Sequence, residues 1–272
     1  MKKILLVSGC SFTAAEYQSI SYPSLDTSWP KWPEILAEKL GMEVVNLAIS
    51  GAGNKYIYSS LLDYIKAHDT NNIGMVIAAW SQSQRLDYED HPNIRGLDWL
   101  RKREKPYGNI MGWVRESLRY YMSFEMLCSY HKLPYKHCQM IALFEHYFEP
   151  NKNENWVALG SSLSVNDKIK NLEELKDESN QKWFDLPPEM VSTKNIKDNI
   201  DQEEIIIEFI RKNLKVKKNN FIGYPIVPSL GGYTVAEFLK IYKNPDLRIS
   251  PRDAHPTGKG HAVIAEHIYE NL

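Results

Sequence analysis

The first apolar run, Ile4 to Ser8, is short and unbroken and ends at Gly9, the pattern of a strand buried on both faces that feeds a tight turn. Trp32 to Leu40 then reads as a helix, with Pro33 in its first turn and Gly41 as its stop. A second strand is expected over Glu43 to Ala48, followed by the loop "ISGAGN". From Lys55 to His68 the apolar positions Ile57, Leu61, Leu62 and Ile65 recur at helical spacing, and Met75 to Trp80 is a third strand-like run. Strand and helix thus alternate three times. Such alternation predicts an α/β fold, a three-layer α/β/α sandwich around a parallel sheet, with a ligand crevice at the carboxyl ends of the strands.

Further along, Leu97 to Leu133 is aromatic-rich, and Val114, Leu118, Tyr121, Phe124 and Leu127 fall on one helical stripe that predicts a core-facing surface. Cys138 to Leu143 is expected as a fourth strand. Between Glu149 and Asn220 the composition turns to Asn, Lys, Glu and Asp, with one helix at Gln202 to Leu214 behind Asp201 as N-cap. Strand character returns at Phe221 to Val227, and a closing helix is expected from about Lys259 to Asn271. The organisation predicted is one domain over residues 1–272, carrying a helical segment at 87–135 and a charged insertion or lid at 149–220.

Composition narrows the function. At 272 residues, 43% hydrophobic and 25% charged, the chain has the make-up of a globular protein with a sizeable core. Thirty-three Lys plus Arg against 34 Asp plus Glu give a net charge of -1, so no field draws the chain to nucleic acid or anionic lipid. Cys10, Cys128 and Cys138 are too few and too irregular for a disulfide framework or paired zinc ligands, which suits a reducing compartment. Val7-Ser8-Gly9-Cys10 after two lysines looks like the lipobox of bacterial lipoproteins, in which the cysteine is acylated. The apolar run before it is far shorter than a secretory segment, and no run has the length of a membrane helix, so the expectation is a cytoplasmic protein without a membrane span.

Four separated pieces carry candidate chemistry: "GCSFT" after the first strand, "NLAISGAGN" after the second, "WSQSQR" after the third, and "DAHPTGKGH" before the last helix. Together they resemble the SGNH (GDSL-like) hydrolase family, over Ile4 to Leu86 and roughly Phe221 to Leu272. In that family the blocks carry, in order, the nucleophilic serine, an oxyanion glycine, an oxyanion asparagine and an Asp/His pair. The resemblance implies a serine esterase that cleaves a carboxylic ester, whether an O-acetyl sugar, a lipid or a thioester, without metal or organic cofactor.

The residue chemistry stands beside the resemblance. A serine hydroxyl is a weak nucleophile and needs a base within reach and a third group to orient that base. Ser11 would be presented at the sheet's carboxyl edge, with His255 as base and Asp253 as the nearest carboxylate. Taken singly, Ser11 is equally a turn serine and His255 a surface histidine. Two blocks depart from the family pattern. Cys10 replaces the usual aspartate beside the serine and is a second candidate nucleophile, although alternation predicts that it faces the core if Ser11 faces the cleft. The Asp253/His255 pair is one residue shorter than the common D-x-x-H form, so the two can meet only if the chain is extended or turned at Ala254.

The resemblance places Gly51 and the Ser11 backbone N–H in the oxyanion hole. For the third donor Gln82 stands where the family has asparagine, and Asn54 is the competitor. Arg85 is a candidate for an anionic substrate group and equally an ordinary surface arginine. The remaining histidines lack the spacing of a helical zinc pair: His131 and His137 flank a turn, and His261 and His267 are six apart. The rival to an esterase is an inactive SGNH-like domain that binds a glycan or a protein.

Overall fold

The structure, a computed structural model, describes residues 2–19, 21–85, 87, 109–148, 157–160, 204–242, 244–250 and 253–272. Its seven strands are β1 (Ile4–Gly9), β2 (Glu43–Asn46), β3 (Ile73–Trp80), β4 (Tyr135–Gln139), β5 (Glu145–Phe148), β6 (Val157–Gly160) and β7 (Phe221–Ile222). The described helices are α1 (Trp32–Leu40), α2 (Asn54–Ala67), α3 (Ile110–Tyr130), α4 (204–213), α5 (Val235–Ile241) and α6 (Gly258–Glu270). Five strands form one parallel sheet in the order β2-β1-β3-β4-β7, while β5 and β6 pair antiparallel in a separate ribbon. The chain steps from β1 outward to β2 and then returns past β1 to β3. Right-handed crossovers on such a path put α1 on one face and α2 and α3 on the other. α6 comes back to pack on α1, and α2 packs on α3. This is the three-layer α/β/α architecture that the alternating pattern predicts.

Local chemistry explains the boundaries. Gly41 ends α1 in the left-handed region, at φ 65°, with its N–H returned to carbonyls of the last turn. Asn109 and Thr257 start α3 and α6 by accepting the N–H of Gly112 and Gly260 on their side chains. Val114, Leu118, Tyr121 and Phe124 of the expected stripe are buried, and Leu127 is partly so.

Strand bounds differ from expectation: β2 stops at Asn46 and not Ala48, and β3 begins at Ile73 and not Met75. The fourth runs over Tyr135–Gln139 and not Cys138–Leu143, because Lys136, His137 and Gln139 are polar residues that nevertheless lie buried in the sheet. Their partners come from far along the chain: Lys136 Nζ donates to the Asn219 and Asn271 carbonyls, and Trp80 Nε1 donates to His137 Nδ1. The seventh stops at Ile222, where the chain turns at Gly223 (φ 79°), with Ile226 N–H donating to the Gly223 carbonyl. Of the expected insertion, only β6 and α4 with the segment after it are described. Asp201 and most of 87–108 and 149–203 lie outside the described residues.

In this strand order the crevice lies where connections leave β1 in opposite directions, beyond the carboxyl ends of β1 and β3. Gly9 and Ala79 are the paired last residues there. The segments that follow them carry Ser11 and Gln82.

Candidate active site

The chain leaves β1 through a turn in which the N–H groups of Thr13 and Ala14 both donate to the Cys10 carbonyl. The turn needs Gly9: a Cβ there would lie 2.6 Å from Thr13 Oγ1 and 2.9 Å from Ala79 Cβ. Thr13 is tied down in turn, since Trp32 Nε1 donates to its hydroxyl and Asn46 Nδ2 to its carbonyl. Cys10 points into the core and is fully buried, as strand alternation predicts. Ser11 keeps 7% exposure at the mouth.

His255 Nε2 lies 2.7 Å from Ser11 Oγ, and His255 Nδ1 lies 2.6 Å from Asp253 Oδ1. The three predicted residues therefore form a continuous relay, although 244 positions separate Ser11 from His255. The short Asp-x-His spacing works because Asp253 Oδ1 also accepts the His255 backbone N–H at 3.1 Å. This two-residue carboxylate-to-backbone closure folds the segment back at the exposed Ala254 and brings imidazole and carboxylate to one side. The loop is fastened on both flanks: Ile249 N–H donates to the His255 carbonyl and Thr257 N–H to the Leu247 carbonyl. Gly260 lets α6 press on that segment, where a Cβ would sit 2.1 Å from the Leu247 oxygen.

Asp253 is nearly buried, and that desolvation opposes its charge. Hydrogen bonds from Ser19, Tyr17 and His255 outweigh it, so the carboxyl is held below its usual range and stays ionised. His255 is shifted downward. Burial is the largest cause, Asp253 pulls the other way, and the positive charge of Arg85 adds to the lowering. At neutral pH the imidazole is therefore uncharged and able to take a proton.

The second block continues the β1–β2 pairing, with Leu47 N–H donating to the Val7 carbonyl and Ile49 N–H to the Gly9 carbonyl. It then closes a turn in which Ala52 N–H donates to the Ile49 carbonyl, with Gly51 third at φ 87°, a conformation that favours glycine. Gly51 is thereby anchored next to the segment that presents Ser11.

The two candidates for the third donor part company. Asn54 is buried and fully occupied: Nδ2 donates to the Ser81 carbonyl and to Ser117 Oγ, and Oδ1 accepts the Ser81 N–H at 2.8 Å. Both of its donor hydrogens are spent on the fold. Gln82 sits past the end of β3, and its Oε1 accepts from Arg85 Nε at 3.4 Å. Arg85 also donates from Nη1 to the Ala52 carbonyl, so it bridges the second and third blocks.

The sequence left several contributors unmarked. Tyr17 and Ser19 both donate to Asp253 Oδ2, and Phe12 and Tyr17 both meet the His255 ring. Asp87 accepts the backbone N–H groups of Gly53 and Tyr56 and so caps α2 behind the Gly51 turn. An Asx-type residue before a helix signals a cap, but Asp87 is far downstream in the chain. Of the other histidines, His137 and His261 are buried and held neutral by desolvation, to about 3. Among the described residues no group of His, Cys, Asp or Glu is arranged to hold a metal ion.

The sequence matches no protein-family model and no curated protein. Solved structures do match. They include a proposed SGNH hydrolase from Slackia heliotrinireducens, at 12% identity and TM-score 0.45 over 100% of this chain and 99% of that one. The esterase EstA from Pseudoalteromonas sp. matches at 12% and 0.43 over 99% and 96%. The acetyl xylan esterase Axe2 from Geobacillus stearothermophilus, as a variant, matches at 14% and 0.41 over 99% and 94%. These structural neighbours are SGNH hydrolases and esterases. At these identities and TM-scores they carry no argument about the residues of this chain. Among the described residues no helix is long and apolar enough to cross a membrane.

Proposed function

We propose that this protein is a serine hydrolase of SGNH type that cleaves carboxylic esters. The observation that carries this is the unbroken contact from Ser11 Oγ through His255 to Asp253, at 2.7 and 2.6 Å. In this mechanism Ser11 Oγ attacks the acyl carbon while His255 Nε2 takes its proton, and Asp253 stabilises the imidazolium that forms. The oxyanion is met by the N–H groups of Ser11 and Gly51 and by Gln82 Nε2. Collapse of the tetrahedral intermediate breaks the acyl–oxygen or acyl–sulfur bond, and His255 returns the proton to the leaving group. Water, activated by the same imidazole, then releases the acid from Ser11. Oxygen esters of sugars and lipids and acyl thioesters all fit this chemistry.

The test is hydrolysis of p-nitrophenyl acetate by the wild type, Ser11→Ala and Cys10→Ala. We expect loss of at least about 10³-fold in turnover for Ser11→Ala, and most of the activity retained in Cys10→Ala. A folded Cys10 variant without activity beside an active Ser11 variant would overturn the assignment. A folded wild type inert toward every ester tried would favour a binding module.

A further inference from the structure

Tyr17 lies six residues beyond Ser11 in the same loop, and no motif marks it. Its hydroxyl is 2.8 Å from Asp253 Oδ2 and 2.8 Å from His255 Nδ1. Its ring stacks on the imidazole, with centroids 4.1 Å apart and planes 25° from parallel. The backbone beneath it is fixed, since the Thr27 hydroxyl donates to the Tyr17 carbonyl.

We propose that Tyr17 is a positioning residue for the Ser11–His255–Asp253 relay, fixing both the tautomer of the imidazole and the rotation of the carboxylate; this rests on the hydrolase function proposed above. The shortened Asp-x-His spacing creates the need. Asp253 Oδ1 serves both the backbone N–H and Nδ1 of His255, which leaves Oδ2 as the end that would swing as the carboxylate rotates. Tyr17 and Ser19 hold Oδ2 from outside the loop. Burial and the neighbouring Asp253 charge push the phenol well above its usual range, so it remains O–H and donates. With its hydrogen directed to Oδ2, the phenolic oxygen offers a lone pair to Nδ1. A proton on Nδ1 then faces two acceptors, Asp253 Oδ1 and Tyr17 Oη, while a proton on Nε2 would displace the hydrogen bond from Ser11 Oγ. The ring stack limits tilting of the imidazole. Nucleophile and brace also share one loop, so any movement of that loop carries both.

Histidine ¹⁵N NMR of the wild type should show neutral His255 protonated on Nδ1. In Tyr17→Phe, which keeps the stacked ring, that proton should shift and exchange faster with solvent, and the Nε2–H tautomer should gain population. Turnover should fall about tenfold or more with KM within about twofold, since the hydroxyl contacts the relay and not the attacked carbonyl. Ser19→Ala, which removes a donor to Oδ2 without touching Nδ1, should lower turnover and leave the tautomer intact. An unchanged Nδ1 proton in a folded Tyr17→Phe protein would overturn the proposal. So would a wild-type His255 found as the Nε2–H tautomer, an outcome that requires no variant to fold. Because the tautomer is read without turnover, this result is separate from whether any ester is hydrolysed.

Discussion

In the proposed mechanism His255 is a base only while Nε2 is unprotonated, so its downward shift would set the acid limb of the reaction. With burial the largest cause and Arg85 adding to it, turnover should rise with pH through a single ionisation centred below the ordinary histidine value of about 6.5 and be level above it. A limb centred above pH 7, or a profile that stays level down to the pH at which the protein unfolds, would count against this base. In Arg85→Gln the limb should move upward, because the cation that disfavours the imidazolium is gone. Ser11, His255 and Asp253 were legible because each residue type sits at the edge of a recognisable element. Tyr17 and Ser19 were not: an isolated tyrosine in a polar loop carries no sign of a carboxylate 236 positions away. Cys10 was legible through alternation alone, since a side chain that follows a buried strand must face one side or the other.

At the scale of elements, the junction between β3 and α2 is where the two candidates for the proposed third oxyanion donor differ. Asn54, the first residue of α2, clasps both backbone groups of Ser81, and Gln139 Nε2 joins on the same carbonyl at 2.9 Å. Counting from the strand end favours Gln82, two residues past β3, but Asn54 carries the same amide three residues past Gly51, and spacing alone does not say which amide is already occupied. Hydrogen-bond capacity separates them. Gln82→Ala should lower turnover by roughly 10²–10³ with little effect on melting. Asn54→Ala leaves the buried Ser81 N–H without its acceptor, at about 1–3 kcal/mol, so it should lower the melting temperature by several degrees, with any loss of turnover following that of folded protein. The reverse pattern would make Asn54 the donor. The fourth strand is hard to place from sequence for a related reason. Lys136, His137 Nδ1 and Gln139 find partners in Asn219, Asn271, Trp80 and Tyr121, which only the folded chain brings near.

For the whole molecule, the doubling back of the chain across β1 assembles the site. It sets the segments after β1, β2 and β3 side by side, and α6, anchored on α1, delivers the Asp253–His255 loop from the far end of the sequence. That alternation was readable from hydrophobic spacing, since a buried parallel strand and an amphipathic helix have different periods. The β5–β6 ribbon was not, because its pairing is antiparallel and outside the main sheet. On the proposed function this assembly makes Ser11, and not its buried neighbour Cys10, the nucleophile. Reaction of the folded protein with a fluorophosphonate, followed by mass mapping of the adduct, tests it most directly. We expect one adduct, on Ser11, absent from Ser11→Ala and formed at least about 10²-fold more slowly in His255→Ala. An adduct on any other residue, or none on a folded wild-type protein, would contradict it.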